Sequence, residues 1–200
     1  MTPEENKNLF TTIYKNNIKR EGSKELFDWI ENSDFFAAPA SSNYHLATVG
    51  GLCEHSINVY NNLKRLIILE KNVHPELLKN ITEENIAICA LLHDLCKIDF
   101  YIVEEKNVKN EFGVWVKQPY YKIKEKFPMG HGEKSVFLIN RFMKLEGQEA
   151  LAINWHMGAF DKRVIGGDHS VSDAFEKCPL ACLTHMADSL ASFIDERKVD

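Results

Sequence analysis

Between Ile86 and Cys96 the chain reads Ile-Ala-Ile-Cys-Ala-Leu-Leu-His-Asp-Leu-Cys, an apolar run of helical length interrupted only by the adjacent pair His93-Asp94, with Lys97 following. Placing an imidazole and a carboxylate in so apolar a segment is costly unless both are hydrogen-bonded or bound to a metal. This stretch therefore constrains the fold more than any other. Further candidate metal ligands occur at His55, His131, His156 and Asp188. The expectation is that these six residues form one metal site, held in place by the surrounding helices.

Two hundred residues make one ordinary domain with room for a sizeable core. A net charge of -5, spread along the chain, gives no support to broad electrostatic capture of nucleic acid. The five cysteines (Cys53, Cys89, Cys96, Cys178 and Cys182) are odd in number and lie in apolar helical contexts. They read as reduced thiols of a cytoplasmic protein rather than a disulfide framework. The polar N-terminus carries no signal-peptide pattern, and no apolar run reaches the roughly 18 residues of a membrane span. No obligate protein partner is readable.

Hydrophobic spacing predicts helices over Pro3 to Lys19 and Ser23 to Glu31, then from Leu52 to about Asn72. Thr82 with Glu83 and Glu84 caps the helix that runs into the doublet. Residues 99–126 change character: Tyr101-Ile102-Val103, Val114-Trp115-Val116 and Tyr120-Tyr121-Lys122-Ile123 are short and β-prone, which predicts an inserted hairpin. Trp115, Tyr120 and Tyr121 are assigned to packing within it rather than to stacking on a base. Helices are expected again from Gly130, from Glu146 to Met157, and from Pro179 to about Ile194, with a loop over Ala159 to Asp173. The chain divides into N-terminal helices (1–34), core segments (35–98 and 127–195) and an insertion (99–126), all within one domain spanning 1–200.

Histidine and aspartate are the ligand types expected of zinc, iron or manganese. His93 and Asp94 point about 100° apart on a regular helix, but near a helix end both can turn toward one metal. An aspartate can bridge two ions through its two oxygens, and two ions roughly 3.5–4 Å apart bind a phosphate and polarise a water. Lys97, one turn beyond Asp94, can meet a phosphate oxygen or tune the aspartate.

The order His55, His93-Asp94, Asp188 resembles the signature of the HD-domain superfamily of metal-dependent phosphohydrolases, and His131 and His156 resemble the enlarged ligand set of its two-metal branches. Locally, Phe36-Ala37-Ala38-Pro39-Ala40-Ser41, His45, Gly51-Leu52 with His55, Leu92-His93-Asp94-Leu95 with Lys97, and Gly130-His131 are similar to the HD domain of 3′–5′ exoribonucleases of Gram-positive bacteria. The resemblance implies an all-α HD-domain helical bundle, here with a small β-hairpin insertion. It implies His55, His93, Asp94 and Asp188 around a first ion, and Asp94, His131 and His156 around a second. It places His45 near the substrate. Those exoribonucleases carry an OB-fold ahead of the HD domain, and the 34 helical residues before Phe35 do not supply one. Metal-assisted hydrolysis of a phosphoester is thus expected rather than processive RNA degradation.

The function expected is a phosphohydrolase or phosphodiesterase using two divalent ions (Mn, Fe or Zn) on a nucleotide or short single-stranded oligonucleotide. Asp94, Lys97 and His45 are the catalytic candidates, and Lys134, Lys162 and Arg163 the substrate-binding ones. Three other readings compete: a di-iron oxygenase of the same superfamily, a non-catalytic module that binds metal or nucleotide, and a helical bundle without metal. His185, one turn before Asp188, is expected to support a ligand rather than to be one.

Overall fold

The computed structural model describes residues 1–197. Helix α1 (Pro3–Asn17) begins in a capping box: Glu5 N–H donates to the Thr2 hydroxyl, and Thr2 N–H donates to the Glu5 carboxylate. It buries Phe10 and Tyr14. Helix α2 (Ser23–Glu31) starts after Gly22, whose φ of +82° and contact with the Phe142 carbonyl leave no room for a side chain. Helix α3 (Gly51–Val73) is the longest, and a single turn, α4 (Pro75–Leu78), follows it.

Helix α5 (Glu83–Leu92) is capped by a reciprocal Thr82–Asn85 pair. Its residues from Ile86 to Leu92 are each at most 2% exposed, as befits a helix that is apolar all round. Ile86, Ile88, Leu91 and Leu92 each contribute about 1.5–3 kcal/mol through burial. The helix does not run on to Cys96 as the apolar run suggests. His93 caps it, Asp94 leaves helical geometry (φ -105°, ψ 20°), and a 3-10 turn occupies Leu95–Lys97. The doublet thus stands at a helix exit, where neighbouring side chains need not diverge.

Strands β1 (Tyr101–Lys109) and β2 (Trp115–Ile123) form an antiparallel hairpin, from Tyr101 opposite Ile123 to Lys109 opposite Trp115. The second and third β-prone segments prove to be one strand, continuous through Pro119. The hairpin is not packed as expected: Val103 and Trp115 are 64% and 65% exposed. Its aromatics are covered by cross-strand cations instead, Lys109 over Trp115 and Lys106 over Tyr120.

Helices α6 (His131–Asn140), α7 (Gly147–Trp155), α8 (Lys162–Ile165), α9 (Ser170–Lys177) and α10 (Pro179–Leu190) complete the chain, with a π turn over Ala191–Asp195. The expected loop over 159–173 holds α8 and the start of α9. Val171 and Ala174 of α9 pack on Trp155 in a small cluster apart from the main core, a stripe too short to register as periodicity. Among the described residues, no helix is long and apolar enough to cross a membrane.

Helix α10 lies against α3 and α7, α3 also against α5 and α1, and α6 against α7. Arg20, between α1 and α2, joins the N-terminal helices to this core. Its guanidinium donates to both oxygens of the fully buried Glu149 at 2.7 and 2.8 Å, and Asn85 donates to the same carboxylate. The first turns of α3 and α6, the exits of α5 and α7, and the last turns of α10 then meet at one place.

Candidate metal centre

Each of those ends delivers a ligand type: His55 from α3, His93 and Asp94 from the exit of α5, His131 from α6, His156 from the cap of α7 and Asp188 from α10. All six expected ligands converge. Asp94 is the hub, and its two oxygens face different partners. Oδ1 lies 2.7 Å from His131 Nε2 and 3.6 Å from His156 Nε2. Oδ2 lies 3.4 Å from His93 Nε2, 3.7 Å from His55 Nε2 and 2.5 Å from Lys97 Nζ. Asp188 Oδ1 lies 3.2 Å from His55 Nε2. Four compact groupings of donor atoms result: His55 with His93 and Asp94, Asp94 with His131 and His156, His93 with His156 and Asp188, and, on the outer side of His55, His45 with His55 and Glu196.

The backbone fixes how the imidazoles point. His93 donates Nδ1–H to the Ala90 carbonyl (2.8 Å), and His156 donates Nδ1–H to the Ile153 carbonyl (2.7 Å), each to the residue three before it at a helix exit. Both rings therefore present a bare Nε2 to the cluster, the arrangement that backbone carbonyls impose on metal-ligating histidines. His156 Nε2 is buried without a hydrogen-bond partner among the described residues, and His93 Nε2 faces His55 Nε2 at 3.2 Å. Imidazole Nε2 atoms turned toward one another and toward a carboxylate in a buried site are well suited to a divalent cation. The donor set fits zinc, iron or manganese.

The electrostatics agree. Burial would raise the Asp94 carboxyl, but Lys97 and the surrounding imidazoles hold it well below the carboxylate range. Burial would depress His55, yet the carboxylates of Asp188 and Glu196 push it up to about 10. Burial does prevail at His93 and His131, which are held below the ordinary histidine value.

His45 stands beside this cluster, its ring centroid 5.1 Å from that of His55. Its loop is closed by the Ala40 N–H donating to the Leu46 carbonyl and by the Ser41 hydroxyl donating to the His45 carbonyl, with Leu46 in the left-handed region at φ +43°. The three expected substrate cations are placed differently. Lys134 is buried and paired with Glu125 at 2.7 Å. Arg163 lies over Trp155 and donates to Asp161, Glu133 and Asn154. Lys162 is exposed, with no ion-pair partner among the described residues. His185 does not meet Asp188, one turn away; its Nδ1–H donates to the His156 backbone carbonyl at 2.7 Å.

Glu196 was not singled out by the sequence. Its carboxylate is 1% exposed and lies 3.0 and 3.1 Å from His55 Nδ1. In the run Asp195-Glu196-Arg197-Lys198 it reads as a solvated helix end. The usable signal was on α3, where His55, Asn58, Asn62 and Arg65 form a polar stripe at helical spacing, with His55 and Asn62 buried.

A match to the HD domain covers residues 52–192, most of the chain and all six converging residues. The protein belongs to the HD-domain family, a superfamily made up mostly of metal-dependent phosphohydrolases. No curated protein and no solved structure matches the chain.

Proposed function

We propose that the protein is a metal-dependent phosphoric ester hydrolase that uses two divalent ions (Mn, Fe or Zn) to cleave a phosphoester of a nucleotide or short oligonucleotide. One observation carries this reading. The buried Asp94 carboxylate divides its neighbours between its oxygens, His131 and His156 at Oδ1, His55 and His93 at Oδ2. A carboxylate flanked in this way can be shared by two ions. Asp188 completes the His55 and His93 side. Ions held there neutralise phosphate charge and make a bound water acidic.

The other residues serve the substrate. Lys97 Nζ holds Asp94 Oδ2 and keeps further N–H groups for a phosphate oxygen. His45 Nε2 has no hydrogen-bond partner among the described residues, and burial together with neighbouring His55 lowers the ring's pKa, so it can take a proton from the attacking water and pass it to the leaving oxygen. Of the three candidate cations, Lys162 is the one with no ion-pair partner among the described residues, and we assign it to the substrate. The fine resemblance to exoribonuclease HD domains favours nucleotide phosphoesters as the substrate class.

The test is hydrolysis of p-nitrophenyl phosphate, bis(p-nitrophenyl) phosphate and a panel of nucleotides and dinucleotides by protein reconstituted with each ion, in air and without oxygen. The expected result is oxygen-independent phosphate release that Asp94→Ala abolishes, together with lowered ion occupancy. Full activity in Asp94→Ala, or turnover only with oxygen, would contradict the assignment.

A further inference from the structure

The His55 ring is held at both nitrogens by carboxylates from the end of one helix. Asp188 approaches Nε2 at 3.2 Å, and Glu196, eight residues later, approaches Nδ1 with both oxygens. The reversal is made by the π turn over Ala191–Asp195, closed by Glu196 N–H donating to the Ala191 carbonyl at 3.0 Å. Wide turns of this kind recur at functional sites because they re-aim a side chain that regular helix would carry past. A carboxylate this deeply buried needs partners, and Glu196 has hydrogen bonds with His55 and with the Asn58 amide, which donates to Oε1 at 2.9 Å, and His45 Nε2 lies 3.9 Å from Oε2. The next rung is separate: Asn62 donates to Asp195 at 2.7 Å, and Arg65 donates to Asn62.

We infer that Glu196 is a positioning residue for the metal centre. It accepts Nδ1–H from His55, fixes the ring's rotation, and leaves Nε2 as the nitrogen offered to an ion, while Asn58 fixes Glu196. His93 and His156 obtain the same service from backbone carbonyls. His55 lies in the first turns of α3, where the carbonyl three residues before it, that of Leu52, already accepts the Ser56 hydroxyl at 2.9 Å, and a side-chain carboxylate from the far end of the chain takes that role. This inference rests on the reading of the cluster as a metal centre.

Zinc alone is the probe, added to the full chain labelled with nitrogen-15 in its histidines. The zinc-loaded protein is expected to show a slowly exchanging His55 Nδ1–H. Glu196→Ala should lose that proton and bind zinc about 10–100-fold more weakly, the usual cost of removing such a support. Glu196→Gln keeps an acceptor and should retain the proton with an intermediate affinity. Asp195→Ala, which breaks only the neighbouring rung, should leave zinc affinity unchanged. An Asp195→Ala loss equal to that of Glu196→Ala, or a Glu196→Ala protein with unchanged affinity and an unchanged His55 proton, overturns the role of Glu196 while leaving the metal centre standing. A wild-type protein that takes up no zinc overturns the metal centre itself, and this inference with it.

Discussion

At the scale of single residues, a metal centre here would set a cation against protons. In the metal-free protein His55 is held up to about 10, against burial, by Asp188 and Glu196, so at neutral pH it carries a proton on the nitrogen an ion needs. Its folded value lies above the ordinary 6.5, so the stability it contributes is fully present below that value and lost as pH rises through about 10. Ion binding must expel that proton. The apparent ion affinity should therefore rise by about tenfold per pH unit between pH 7 and 9, with release of about one proton per ion bound on the His55 side. Calorimetry in two buffers of different ionisation enthalpy measures this, and a flat affinity over that range would show that His55 is not a ligand. The six converging residues were legible because each is an ionisable group interrupting an apolar pattern. Glu196 was not, since a carboxylate within a charged run gives no sign that the chain turns back and buries it.

At the scale of elements, the site depends on how closely helix ends approach. Gly132, beside His131 in α6, sits against the backbone of α7: a Cβ there would stand 2.3 Å from the Asn154 carbonyl oxygen and 2.5 Å from that of Ile153. Backbone carbonyls cannot yield as a side-chain tip can. Gly132→Ala should push α6 from α7, separating His131 from His156, and destabilise the protein by about 1–3 kcal/mol as overpacking does. Thermal melting with and without metal checks this; loss of ion-induced stabilisation is expected, and an unchanged response would show the two helices to be independently placed. Most helices were predictable from their apolar spacing, and α5 also from its Thr82 cap. The end of α5 at Leu92 was not, because Leu95 and Cys96 are as buried as the helix before them and prolong the apolar run. Helix α9 escaped for the opposite reason, since its buried face is only Val171 and Ala174.

At the scale of the whole molecule, the N-terminal helices are tied to the ligand-bearing core through one buried polar node. Glu149 is fully buried and takes both arms of the Arg20 guanidinium, with Glu84 on the rim and Asn85 alongside. Arg20→Met would leave the Glu149 charge uncompensated and should cost about 3–5 kcal/mol. The paired change Arg20→Met with Glu149→Leu should recover most of it, and chemical denaturation of both variants reads the difference. Equal losses in the two would show that packing, not charge, joins these helices. The hairpin, exposed along both strands, contributes no ligand to the centre. The frame that matters for chemistry is the set of helix ends meeting around Asp94.

The most direct test of that frame is the ion content of the purified chain, measured by elemental mass spectrometry without chelator or histidine tag, for the wild type and for His131→Ala with His156→Ala. The account predicts about two equivalents of iron, manganese or zinc in the wild type and about one in the double variant, because the His55 and His93 side of Asp94 remains intact. A wild-type chain holding no ion, even after reconstitution, would contradict it.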